Sequence, residues 1–162
     1  MLETVVLMKL LFVREIQLRP VETLVLFSEG LRGVISQGGN DTEYWIRLLQ
    51  GSLDGEQPVG IAFDDHGRIT TVGRADNDVV AHVARDRDEN LEVGFQGHDG
   101  RFHLRHDHPE FERIEDVLEQ SRTGNRPVWF VTSGPRLVIV DVIWRQRVSE
   151  SDRKKSGSRR EM

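Results

Sequence analysis

The stretch Phe111 to Val131, FERIEDVLEQSRTGNRPVWFV, contains a helix, its stop signal and a strand, and an earlier stretch echoes it. Placing Pro58 on Pro127, 69 positions later, also places Trp45 on Ile114, Leu48 on Val117, Leu49 on Leu118 and Ser52 on Ser121. The same offset sets Gly55 on Gly124, Val59 on Val128 and Ile61 on Phe130. A chain that spells helix, stop and strand twice is expected to be an internal duplication. Each unit alone has a small core, so stacking the two should bury both helix stripes.

In chain order, Lys9 to Leu18 is rich in β-branched and aromatic residues and reads as a strand stopped by Arg19-Pro20. Thr23 to Phe27 and Leu31 to Ser36 flank Ser28-Glu29-Gly30 as a hairpin. Trp45, Leu48, Leu49 and Ser52 recur at helical spacing, with Asn40 and Glu43 at capping distance and Asp54-Gly55 as the stop. Pro58 to Phe63 and Arg68 to Val72 form the next hairpin around Asp64-Asp65-His66-Gly67.

Gly73 to Asp78 reads as a polar linker and Val79 to Val83 as an apolar strand or helical turn, after which the order repeats. Leu91 to Phe95 and Arg101 to Arg105 form a hairpin. Phe111, Ile114, Val117, Leu118 and Ser121 make a helix stripe, with Asp107 and Glu110 at capping distance and Pro109 in the first turn. Pro127 to Thr132 and Leu137 to Trp144 close the second unit. The last run is apolar on both faces apart from Asp141, as expected of a central strand. The predicted fold is α+β, with hairpin-helix-hairpin units at about residues 10–72 and 79–141 joined in one antiparallel barrel or sandwich and two helices packed on it. A single domain over residues 8–148 and a disordered basic tail over 149–162 are expected. Met8 is an alternative start.

Charge bears on partners. The net charge is −5, yet the last 18 residues carry seven Arg or Lys against Glu150, Asp152 and Glu161, so the remainder is more acidic than the total. An acidic body repels phosphate backbones, and nucleic acid would have to be held by the tail. The start has no small-residue cleavage site and no apolar run of membrane-spanning length, so no membrane partner is expected. There is no cysteine, which excludes disulfides, thiolate metal sites and cysteine nucleophiles and fits a cytoplasmic location.

Histidine clusters: His98, His103, His106 and His108 lie close together, with Asp99 and Asp107 among them. His103, His106 and His108 are the residues from which a metal site would be drawn, but metal ligands must converge on one point. His103 alternates with Phe102 and Leu104 on a strand, and His106 and His108 sit at the helix entry. The first unit has Gln37 and Gly39 where the second has His106 and His108, so no metal is expected. Asp86 to Asn90 opens like a calcium loop but continues with Leu91 and Gly97 where glycine and glutamate belong. Asn40-Asp41-Thr42 matches a glycosylation acceptor but serves as a helix entry. No GxSxG, P-loop, HExxH or dinucleotide fingerprint occurs, so no catalytic residues are assigned. Trp129 and Trp144 are expected in the core.

Pro58 through Val72 into Gly73-Arg74-Ala75, then Val80 to Asp86, resembles the middle of the flavin-binding split-barrel oxidoreductases, over less than a third of the chain. The resemblance implies a flavin held at a homodimer seam. The basic, serine-rich phosphate-binding run of such families is missing. Duplication without a catalytic set leads to the expectation of a small non-enzymatic binding or regulatory module without a cofactor, taking a protein partner or small ligand. The alternatives are the flavin enzyme and nucleic-acid binding through the tail.

Overall fold

The computed structural model describes residues 7–145; the stretch ahead of them and the basic tail lie outside the described residues. The elements are β1 (Lys9–Leu18), β2 (Glu22–Phe27), β3 (Arg32–Ser36), α1 (Thr42–Gly55), β4 (Pro58–Phe63), β5 (Ile69–Arg74), β6 (Asp76–Asp78), β7 (Val80–Arg85), β8 (Leu91–Phe95), β9 (Phe102–Leu104), α2 (Phe111–Gly124), β10 (Val128–Ser133) and β11 (Val138–Trp144). They form an α+β fold with two mostly antiparallel sheets, ordered β3-β2-β1-β4-β5 and β6-β10-β11-β9-β8-β7. Neither sheet closes into a barrel. Closure needs a continuous hydrogen-bonded seam, and between β3 and β5 the ladder amounts to one isolated parallel bridge, Val34 to Arg68, the residue just ahead of β5. The second sheet ends openly on β6 and β7.

The pairing of the two halves runs in parallel. β1 pairs with β2 through Val13↔Phe27 and then slips before Glu15↔Leu26; β7 pairs with β8 through Val80↔Phe95 and slips before His82↔Gly94. β4 and β5 slip between Ala62↔Thr71 and Phe63↔Ile69. β10 and β11 slip between Val131↔Asp141 and Thr132↔Ile139. Thr70 and Val140 are thus the extra, bulged residues of corresponding hairpins. The segment read as linker contains β6, whose Asp76 to Asp78 pair with β10 as Lys9 to Leu11 pair with β4. It was missed because three polar residues show no apolar alternation; their backbone alone makes the strand.

Each helix is amphipathic and spends its stripe on its own sheet, not on the other unit. Leu49 joins Leu11, Val25, Ile35 and Ile61 in one core, while Ile114, Val117 and Leu118 join Val93, Leu104, Phe130 and Ile139 in another. The helix stops also correspond. Gly55 and Gly124 are the last helical residues, and the left-handed cap falls on Glu56 (φ 54°) and Asn125 (φ 51°). The expected side-chain N-caps do not form: Asp41 and Glu110 occupy the N-cap positions without side-chain cap bonds. Asp107 is instead engaged by Arg105 at 2.9 Å.

A third cluster holds the halves together: Met8, Leu10 and Ala62 against Trp129, Val131 and Val140. The fit needs glycine. A Cβ on Gly60 would stand 2.8 Å from Val131 Cγ2, and one on Gly73 would stand 2.8 Å from Met8 Sδ. Val131 therefore enters a notch that two missing side chains create, and close packing of this kind excludes even one added carbon without displacement.

Candidate functional site

The histidines do not converge. His98 lies against Asp78, 2.5 Å from Nδ1 to Oδ2, with its ring edge-on to Phe95, Phe102 and Phe130. His103 sits on β9, where its backbone amide donates to the Leu137 carbonyl. His106 packs its amide and Nδ1 against Asn90 Oδ1. His108 donates from Nε2 to the Val140 carbonyl at 2.7 Å and accepts at Nδ1 from the Glu110 amide at 2.9 Å. Among the described residues no group of three His, Cys, Asp or Glu is placed to hold a metal ion.

Asp78 ties three backbone and side-chain groups. Its burial raises the carboxyl pKa, but the His98 hydrogen bond and the Val79 and Gly97 amides outweigh this and hold it below the usual range. A depressed carboxylate adds stability above its unfolded pKa, and that stability is lost as pH falls through the folded value. Asp78→Asn is accordingly expected to lower stability at pH 7 and to flatten its fall below about pH 4. Urea unfolding at pH 7 and pH 3 measures both; equal losses at the two pH values would contradict the assignment.

A concavity of about 1100 Å³ opens between the halves. The first half contributes Lys9, Phe12 and Arg14 from β1, Ser28 and Glu29 from the turn after β2, and Leu53, Gly55, Glu56 and Gln57 at the end of α1. The second half contributes Asn77, Glu110, Arg113, Trp129, Asp141, Ile143, Trp144 and Arg145. At its floor Asp141, only 3% exposed, accepts hydrogen bonds from the Leu10 amide at 2.8 Å, from Arg113 at 2.6 Å and from the Val142 amide at 2.9 Å. Arg113 is also paired with Glu110 at 3.1 Å and donates to the Val142 carbonyl. Burial lowers the Arg113 pKa, but the bonds to Glu110 and Asp141 outweigh it and raise it further; Arg113 in turn holds Glu110 below the usual range.

Four cationic side chains (Lys9, Arg14, Arg113, Arg145) face four acidic ones (Glu29, Glu56, Glu110, Asp141) around the groove. Lys9 pairs with Glu29 at 2.9 Å, and Arg145 lies over the Trp129 ring. Trp129 is buried and Trp144 half-buried with Arg126 stacked 4.1 Å from its ring centroid. The side chains of Arg14 and Glu56 make no hydrogen bond or ion pair with the described residues; the Glu56 amide donates to the Ser52 carbonyl. Sequence reasoning missed this groove, although it had one signal: Asp141 is a lone carboxylate in an apolar central strand, and a buried carboxylate demands partners. Ser28, the hydroxyl residue of the groove, accepts from the Phe12 amide at 3.2 Å, and its hydroxyl oxygen makes no hydrogen bond to a base among the described residues. No helix among the described residues is long and apolar enough to cross a membrane. No family model, no curated protein and no solved structure matches this chain.

Proposed function

We propose that the chain is two copies of one hairpin-helix-hairpin unit, and that it acts as a small non-enzymatic binding module whose groove between the copies takes a polypeptide partner. The matching slips in both hairpin pairs support the duplication. The groove supports the binding role. Its carrying observation is the pair of unpartnered charges, Arg14 and Glu56, at the rim of a cleft whose wall includes Trp144. Exposed charges of both signs steer and orient a partner, and a partly buried tryptophan supplies contact area.

The test is affinity capture with the full chain and with an Arg14→Glu/Glu56→Arg variant, followed by titration of the purified partner. Both positions are exposed, so the variant is expected to fold normally. The expected result is a protein partner whose affinity falls at least about tenfold, the equivalent of 1.4 kcal/mol. Equal affinity for both chains removes the groove from the interface. A purified chain that carries flavin or turns over a substrate defeats the non-enzymatic reading, and capture of nucleic acid that is lost on deleting residues 149–162 transfers the role to the tail.

A further inference from the structure

The two halves treat one corresponding place differently. In the second half His108 fills it: the ring bridges the carbonyl of the bulged Val140 and the amide of Glu110, just ahead of α2. These two bonds require the neutral tautomer with its proton on Nε2, donating on one side of the ring and accepting on the other. In the first half the residue at the position of His108 is Gly39, that at Glu110 is Asp41, and the bulged residue is Thr70. The helix-entry hydrogen bonds around them correspond, while the turn just ahead differs, Gly38 standing at φ 91° and Asp107 outside the left-handed region. The Thr42 amide donates to the Gly39 carbonyl at 3.2 Å as the Phe111 amide does to His108 at 3.1 Å, and Trp45 to Asp41 at 2.9 Å matches Ile114 to Glu110 at 3.0 Å. On the neighbouring strand, Val34 to Gly67 matches His103 to Leu137.

Gly39, Asp41 and Thr70 all line a cavity of about 290 Å³, with Trp45 and Ile69 as its apolar wall and Arg68 at its edge. The first half therefore keeps open the place that the second half closes with its own histidine.

We propose that this cavity is a binding site for a neutral imidazole group, the side chain of a histidine supplied from outside the two packed halves, seated between Asp41 and Thr70 as His108 is seated between Glu110 and Val140. The donor and acceptor proposed for the ring are backbone groups; of the charged residues lining the cavity besides Asp41, Asp64 is engaged by the His66 and Arg68 amides and Arg68 by Ser36. Trp45 offers the ring an aromatic neighbour. This site is separate from the groove between the halves; it rests on the duplication proposed above and not on the groove as a binding surface.

Free imidazole and an acetylated, amidated histidine are the probes, titrated into the full chain and followed by amide chemical shifts. The expected result is saturable shifts at Asp41, Thr42, Trp45 and Thr70, with the capped histidine binding more tightly because the cavity exceeds one ring. Gly39→His should abolish these shifts by closing the site from within. Its backbone allows the change: Gly39 has no positive φ, and a Cβ there meets only Thr42 Oγ1, at 3.0 Å, which a side-chain rotation relieves. Gly39→Ala, which adds a carbon but no ring, should retain binding and serves as the check should the histidine variant fold poorly. Shifts that survive in Gly39→His, or that fall elsewhere on the surface, overturn the proposal, as does the absence of saturable shifts in the unmodified chain. Binding of imidazole but not of the capped histidine would make the site one for a free small molecule.

Discussion

Replacing Asp141 with alanine is expected to be among the most damaging single changes in this protein, a loss of about 3–5 kcal/mol, because two buried amides lose their acceptor at about 1–3 kcal/mol each and the part-exposed Arg113 loses one partner. The carboxylate is the acceptor for the Leu10 amide, the Val142 amide and Arg113 together. Its removal leaves two amides without their acceptor and a cation at the groove floor held only by Glu110 and the Val142 carbonyl. Because Leu10 belongs to the first sheet and Asp141 to the second, the loss falls on the junction between halves. Asp141→Asn keeps an acceptor but not the charge and should lie between. Urea unfolding provides the measurement, and a loss below about 1 kcal/mol would mean that water replaces the carboxylate at little cost.

The second large effect is expected at Ser121, which is fully buried. Its hydroxyl accepts from the Val80 amide at 3.0 Å and donates to the Arg126 carbonyl at 2.6 Å, so one oxygen joins the end of α2 to the first residue of β7 and to the turn leading into β10. Ser52 does the same in the first half, accepting from Val13 at 3.4 Å and donating to Gln57. Alanine at Ser121 strands a donor and an acceptor. At about 1–3 kcal/mol for the buried Val80 amide left unpaired, with about 1 kcal/mol more for the part-buried Arg126 carbonyl, a total loss of about 2–4 kcal/mol is expected. Ser52→Ala should cost less, since its bond to Val13 is longer. Thermal unfolding of both variants compares them directly; at about 2–4 °C per kcal/mol for a chain of this size, a Ser121→Ala shift under about 2 °C would remove the hydroxyl from this role.

These serines illustrate how far residue order carries. Aligning Ser52 with Ser121 came from spacing alone, and both lie on the buried helix stripe. What the hydroxyls bind was not readable, because Val13 and Val80 lie 39 and 41 positions away along the chain. The contrast at Gly39 and His108 is similar. Their correspondence was visible in the alignment of the halves, but nothing local says that His108 reaches the carbonyl of Val140 or that a cavity stands beside Gly39.

By itself the amino-acid order determined both helices and most strands, since these rest on short-range physics: β-branched and aromatic content along β1, helical spacing in α1 and α2, and turn residues between β4 and β5; the polar β6 is not among them. It also predicted a repeated plan, with Ser52 and Ser121 at matching places on the two helix stripes. Only tertiary structure decided that the helices cover their own sheets, that the sheets stay open, and that Val131 enters the notch at Gly60 and Gly73 to bring the backs of the sheets together. The physical reason is that both sheet faces are apolar enough to be buried. Which face meets a helix and which meets the other sheet depends on shape complementarity across long separations, a property that a one-dimensional pattern of apolar residues does not encode.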